Sequence, residues 1–362
     1  MSTVDEAAVA ALLARARRDV DDGILPAVQV ALGYAGEIVA FETYGAPAAS
    51  RFVTFSVTKA FIGGLAWLLM SDGLFADSTR VAEVVPEFAA NDKQDVTIEH
   101  LLTHTAGFPR APMRPEEGAD REQRRKKLAS WRLDWAPGTQ TEYHPTSAYW
   151  ALVEVIDELT GSDFRRVFAD RVAAPLGIPG LTLGASGDVV RIESVGVIGD
   201  GTETLGDRVK ETGEGFLLRF NEPDVLASGV PGAGGVGTAA DVATFYQSLL
   251  HNPGQLWNPE VLVDATTNVR NTMTDPLFNC AANRTLGLVV AGDDDRAAVR
   301  GFGAHTSPRA FGCLGVGGQI AWADPETGLS FSYITAGLDV DIVASFTRSA
   351  KIAGLAARCT RD

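Results

Sequence analysis

Arg51-Phe52-Val53-Thr54-Phe55-Ser56-Val57-Thr58-Lys59, followed without a charge by Ala60 to Ser71, is the stretch from which the fold is read. Phe52 to Phe55 has the aromatic and β-branched composition of a short buried strand. Ala60-Phe61-Ile62-Gly63-Gly64-Leu65-Ala66-Trp67-Leu68-Leu69-Met70-Ser71 is apolar all round, the mark of a helix covered on every side. That run falls short of the ~18 residues needed to span a bilayer, so it predicts a core helix. A strand running straight into such a helix leaves Ser56 at the junction, where the backbone N–H groups of the first turn have no partner inside the helix.

Ser56-Val57-Thr58-Lys59 is an SxxK motif: positions i and i+3 share a helix face, which brings hydroxyl and ammonium together. An N-cap serine beside a solvated lysine is the plain alternative. For Lys59 to accept a proton near neutral pH its pKa must fall from ~10.4, and both burial and the positive helix N-terminus push that way. Tyr143 is the candidate third member, as a phenol beside an ammonium that would lose its proton more readily. Other routes to hydrolysis lack a signature. Gly184-Ala185-Ser186-Gly187-Asp188 has the wrong spacing for a GxSxG elbow, and His104 and His305 read as polar structural histidines. No HExxH or paired Cys/His spacing supports a metal, and no cofactor is implied.

Outward from this stretch, Thr3 with Glu6 predicts a capping box opening a helix that carries Val9, Leu12, Leu13, Ala16 and Val20. Val28 to Tyr34, a turn at Ala35-Gly36 and Ile38 to Glu42 predict an antiparallel hairpin. Near the other end, Gly318 to Asp324, the turn Pro325-Glu326-Thr327-Gly328, alternating Leu329, Phe331 and Tyr333, and a helix from Asp341 to about Ala357 repeat the style. The middle is richer in helical patterns, such as Ser147 to Leu159 ending at Gly161. These features predict an α/β domain with an antiparallel sheet formed by 1–65 and 241–362, and an inserted mostly helical domain over 66–240. The basic run Arg121 to Lys127, interleaved with acidic residues, reads as a solvated helix face.

The chain has 362 residues, of which 46% are hydrophobic and 21% charged, enough apolar surface to fold most of it. Lys+Arg 31 against Asp+Glu 46 leaves a net charge of −15, the wrong sign for neutralising phosphates, so nucleic acid and anionic membranes are poor partners. Cys280, Cys313 and Cys359 form no CxxC and are odd in number, which fits a reducing compartment. Met1 to Glu6 is acidic where a signal peptide would be basic, and the expectation is a cytoplasmic protein without a membrane span.

Four ordered motifs carry a family resemblance. Ser56-Val57-Thr58-Lys59, His100 to Gly107, Pro137-Gly138-Thr139 leading to Tyr143, and Gly312 to Gly318 before Ala323-Asp324-Pro325 resemble the β-lactamase-related serine hydrolases over residues from about 25 to 345. That group includes class C β-lactamases, D-Ala-D-Ala peptidases and family VIII carboxylesterases. The resemblance implies a penicillin-binding-protein-like α/β fold, with a central antiparallel sheet flanked by helices. It also implies Ser56 as the acylated nucleophile, Lys59 as its proton partner, Tyr143 as the second-motif tyrosine and Cys313-Leu314-Gly315 as the substrate-facing third motif. The oxyanion would be held by the backbone N–H groups of Ser56 and Val316.

Two departures bear on substrate. The family's Tyr-x-Asn is Tyr143-His144-Pro145 here, and Cys313 stands where relatives carry a lysine or histidine. A lactam or terminal D-Ala presents a carboxylate that is costly to bury without a countercharge. The expectation is therefore a serine carboxylesterase acting on small neutral esters. A β-lactamase or D-Ala-D-Ala peptidase is the alternative if another cation, Arg300 or Arg309, takes the lost position. A non-catalytic sensor and an acyltransferase are further alternatives, and the sequence says nothing of oligomeric state.

Overall fold

The strand Val28–Tyr34 is buried along almost its whole length, unlike a half-exposed hairpin arm, because it lies inside a sheet covered on both faces. In the computed structural model, which describes residues 3–195, 214–339 and 341–361, this sheet has six antiparallel strands. Their order is Val289–Val290, Phe311–Gly315, Gln319–Asp324, Leu329–Thr335, Val28–Tyr34 and Glu37–Tyr44. Ala35 and Gly36 turn the predicted hairpin with φ of 53° and 86°, the left-handed pair that suits the strand twist. Leu12 and Ala16 of the helix Glu6–Asp21, with Ile352 and Ala356 of Ile342–Ala356, pack on one sheet face. Ala239 and Ala243 of Ala239–His251 pack on the other, against Ala31 and Ile334.

The helix Thr58–Ser71 is buried from Thr58 to Leu69, as its unbroken apolar run predicts. It shares a core with Ser147–Thr160, which ends at Gly161 in the left-handed conformation (φ 64°). Phe52–Val53 joins a small sheet with Gly235–Gly237 and Thr182–Leu183, so chain segments far apart in sequence meet beside Ser56. We propose the division into 1–65 with 241–362 and 66–240 on the ground that every strand of the large sheet lies outside 66–240; residues 196–213 of the insert lie outside the described residues. Among the described residues no helix is long and apolar enough to cross a membrane.

Three sequence readings are corrected. Asp5, not Thr3, caps the first helix, its carboxylate accepting from the Ala7 and Ala8 N–H groups, because Thr3–Val4 is drawn into a strand pair with Thr360–Arg361. The strand before Ser56 stops at Val53, and Phe55–Val57 forms a 3-10 turn. The basic run is more than a solvated face. Arg124 is 2% exposed and pairs with Glu154 and Asp157 from the facing helix, while Arg121 and Arg125 bridge Glu154 and Glu158.

Candidate active site

Phe55 holds a left-handed backbone (φ 42°), a conformation that costs a bulky L-residue about 1–2 kcal/mol, immediately before Ser56. The turn is clamped by its neighbours. Thr54 donates from its backbone N–H and its hydroxyl to the Gly235 carbonyl (2.8 and 3.1 Å), and the Gly235 N–H donates to Thr58 Oγ1 (2.8 Å). A Cβ at Gly235 would sit 2.7 Å from both threonine hydroxyls, so only glycine permits the approach. Ser56 is thereby held half-exposed above a buried helix.

Lys59, one turn on, is 3% exposed. Its Nζ lies 2.7 Å from the Pro145 carbonyl, 2.8 Å from the Gly232 carbonyl and 3.3 Å from Ser56 Oγ. Burial lowers its pKa to about 7, helped by the charge of Arg284 and opposed by Cys313. A neutral amine has two N–H bonds and one lone pair. The two carbonyls orient the N–H bonds, and the remaining direction faces Ser56. Gly232 (φ 81°) makes room, since a Cβ there would stand 3.1 Å from Nζ.

The Tyr143 hydroxyl donates to Ser56 Oγ at 2.7 Å. Its ring is 4.8 Å from Lys59 Nζ and stacks at 4.8 Å on His104. The His144 N–H donates to His104 Nδ1 (2.9 Å), and the Phe108 N–H donates to His144 Nε2 (3.2 Å). Burial holds His104 well below the usual range and His144 at about 4, so both rings are neutral scaffolding for the tyrosine, in line with the structural role expected of His104. The phenol differs from expectation: burial drives its pKa up to about 12, outweighing the hydrogen bond to Ser56 and the charge of Arg284. Removing water disfavours phenolate more strongly than the nearby cations favour it.

The strand Phe311–Gly315 is laid against this turn. A Cβ on Gly315 would lie 3.0 Å from the Ser56 nitrogen, so the strand end and the Ser56 turn approach closely only because residue 315 lacks one. Val316–Gly318 then turns with φ of 79° and 89° at Gly317 and Gly318, held by Thr335 Oγ1 donating to the Gly317 carbonyl (2.6 Å) and Ser349 Oγ to that of Gly318 (2.8 Å). Cys313 is on the site side; its Sγ is 3.5 Å from the Gly287 carbonyl, and burial lifts its thiol to about 11, so it is uncharged. Leu314, next along the strand, packs on Gly301.

Sequence reasoning missed Arg284. Its guanidinium carbon is 5.4 Å from the centre of the Tyr143 ring, and Nη2 is 3.6 Å from Asp275 Oδ2. The cations named from sequence are elsewhere: Arg300 is bound to Asp294 and to the Ala281 and Ala291 carbonyls, and Arg309 is exposed. Tyr149, whose ring covers Lys59 Nζ at 5.2 Å, and the Pro145 and Gly232 carbonyls also escaped notice. No local pattern distinguishes them, since each arrives from a separate segment.

The Beta-lactamase family model matches residues 12–349. The esterase/beta-lactamase LipL of Mycobacterium tuberculosis is 25% identical over 308 residues, covering 78% of this chain and 68% of that protein. Esterase EstB of Burkholderia gladioli is 29% identical over 311 residues, covering 77% and 76%. A family VIII carboxylesterase crystal structure superposes with a TM-score of 0.79 over 97% of this chain and 99% of that one, at 23% identity. A penicillin-binding protein homolog from Caulobacter crescentus gives 0.76 over 98% and 100%, at 24% identity, and the fold is the one these proteins share. With a family model spanning nearly its whole length and the expected fold around the SxxK turn, the chain belongs to the Beta-lactamase family and is an enzyme of the serine-hydrolase kind.

Proposed function

We propose that the protein is a carboxylesterase that cleaves small neutral esters through an acyl-enzyme on Ser56. The observation that carries this reading is the suspension of Ser56 Oγ between the Tyr143 hydroxyl at 2.7 Å and Lys59 Nζ at 3.3 Å. Lys59 accepts the Ser56 proton as Oγ bonds to the ester carbonyl carbon. The Ser56 and Val316 N–H groups receive the oxyanion. As the intermediate collapses, the C–O bond to the alcohol breaks, Tyr143 donates its proton to the departing oxygen, and the Lys59 ammonium restores the phenol. Water then adds to the acyl carbon, gives up its proton to the same pair, and leaves Ser56 protonated and a free acid. A phenol with its proton firmly held and an amine near neutrality suit this division of labour.

The neutral-ester specificity rests on the uncharged Cys313, and the esterases among the relatives support it. One observation favours amide cleavage instead: Arg284 brings a cation beside Tyr143, and a putative D-alanyl-D-alanine carboxypeptidase of Escherichia coli is 24% identical over 325 residues. Arg284 is already opposite Asp275, which supports the ester reading. Turnover of p-nitrophenyl acetate and butyrate against a chromogenic cephalosporin and a D-Ala-D-Ala peptide tests the choice. Cephalosporin rates matching those on simple esters would overturn it. A cytoplasmic location, proposed from the sequence alone, is checked by cell fractionation.

A further inference from the structure

Two cations lie against the Tyr143 ring, Lys59 Nζ at 4.8 Å and the Arg284 guanidinium carbon at 5.4 Å from its centre. Arg284 is placed rigidly. Its N–H donates to the Asn271 carbonyl (3.0 Å), and its carbonyl accepts from the Arg270 and Asn271 N–H groups (2.8 and 3.1 Å). Its side chain is 11% exposed, and Nε is buried with no hydrogen-bond partner among the described residues. An unsatisfied buried N–H costs about 1–3 kcal/mol, so stability alone does not account for this placement.

We propose that Arg284 is a positioning residue for the site, a permanent cation that disfavours a second positive charge on Lys59 and so keeps that amine free to accept the Ser56 proton. The inference rests on the acyl-enzyme reading above. A guanidinium keeps its charge at any working pH, so its field on Lys59 is constant. The other groups facing Lys59 are Tyr143, Tyr149, His104 and His144, which burial keeps uncharged near neutral pH, and Cys313, which acts on Lys59 in the direction opposite to Arg284 but whose own thiol burial lifts to about 11. Asp275, 3% exposed, is the charge that moderates Arg284, its Oδ1 accepting from the Leu277 N–H (2.9 Å). Separated by 3.6 Å, the Asp275 carboxylate only partly cancels the guanidinium field.

The sign is testable from both partners. Activity requires neutral Lys59, so kcat/KM rises with pH through the Lys59 pKa of about 7. Arg284→Gln removes the opposing cation and moves the acid limb up by about one pH unit, lowering kcat/KM about tenfold at a pH one unit below the wild-type midpoint while much of the high-pH plateau returns. Arg284→Lys keeps the charge and restores the midpoint. Asp275→Asn frees the guanidinium field and moves the limb down by ~0.5 unit. The measurement is kcat/KM for p-nitrophenyl acetate across pH, with the pH dependence of Ser56 labelling by a fluorophosphonate as a second readout that needs no turnover. If Arg284→Gln does not fold, the opposite shift in Asp275→Asn still tests the idea. A loss equal at every pH with an unmoved midpoint, or a change confined to KM for carboxylate-bearing esters, overturns it. If Ser56→Ala keeps full activity, the acyl-enzyme reading fails instead.

Discussion

Two regions of this molecule bury positive charge and treat it in opposite ways. Where the helices Arg121–Ser130 and Ser147–Thr160 face each other, Arg124 donates to Glu154, Asp157 and the Gly118 carbonyl, and Glu154 also takes Arg121 and Arg125. Beside Ser56, Lys59 has two carbonyls and a hydroxyl but no carboxylate, and Arg284 has one carboxylate, out of hydrogen-bond range. A cation given full complement stays charged and ties elements together. Lys59, buried without a carboxylate, gives up its proton cheaply, as the base role proposed for it requires, whereas the Arg284 guanidinium keeps its charge.

Mutations should separate the two regions by readout. Ser56→Ala is expected to lower ester turnover by ~10⁴-fold or more with an unchanged melting temperature, measured with p-nitrophenyl butyrate; wild-type turnover would reduce Ser56 to a helix cap. Arg124→Ala should do the reverse, costing about 3–5 kcal/mol in urea unfolding by stranding Glu154 and Asp157, while kcat per folded molecule holds. An Arg124 variant as stable as wild type would erase the contrast.

Smaller effects sharpen it around Ser56. Lys59→Ala and Tyr143→Phe should each cost ~10²-fold in kcat and together much less than the product, and independent multiplicative losses would argue against one shared relay. Cys313→Lys should raise the ratio of anionic to neutral substrate turnover about tenfold, a charge-assisted hydrogen bond being worth roughly 1.5–3 kcal/mol. Because the new ammonium would join Lys59 and Arg284, neutral-ester turnover should fall as well. Melting curves distinguish this from a site that has unfolded.

Elements built from near neighbours were legible in the chain. The hairpin at Ala35-Gly36, the buried helix after Ser56 and the left-handed end at Gly161 each follow from a single short stretch of sequence. Ser56 and Lys59 were found for the same reason, being one helical turn apart. Tyr143 was named for the acid-base chemistry of a phenol and tied to Ser56, like Cys313, through ordered motifs, since nothing local marks a tyrosine before His144-Pro145 as facing Ser56.

What misled was non-local. Thr3 and Glu6 have the spacing of a capping box, yet pairing of Thr3 with Arg361 displaced the cap to Asp5. Arg121 to Lys127 has the composition of a solvated face, but the facing carboxylates of Glu154 and Asp157 were invisible at a separation of thirty residues or so. Backbone periodicity and side-chain type over a few turns are enough to fix the one-turn spacing of Ser56 and Lys59 and the apolar helical run that buries Lys59. Packing of distant segments sets which carbonyls orient Lys59, makes Tyr143 hold its proton more tightly instead of less, and brings Arg284 as the cation beside Tyr143. Desolvation and Coulomb fields act through space, and their strength depends on packing among segments as far apart as residues 59, 143, 232, 284 and 313.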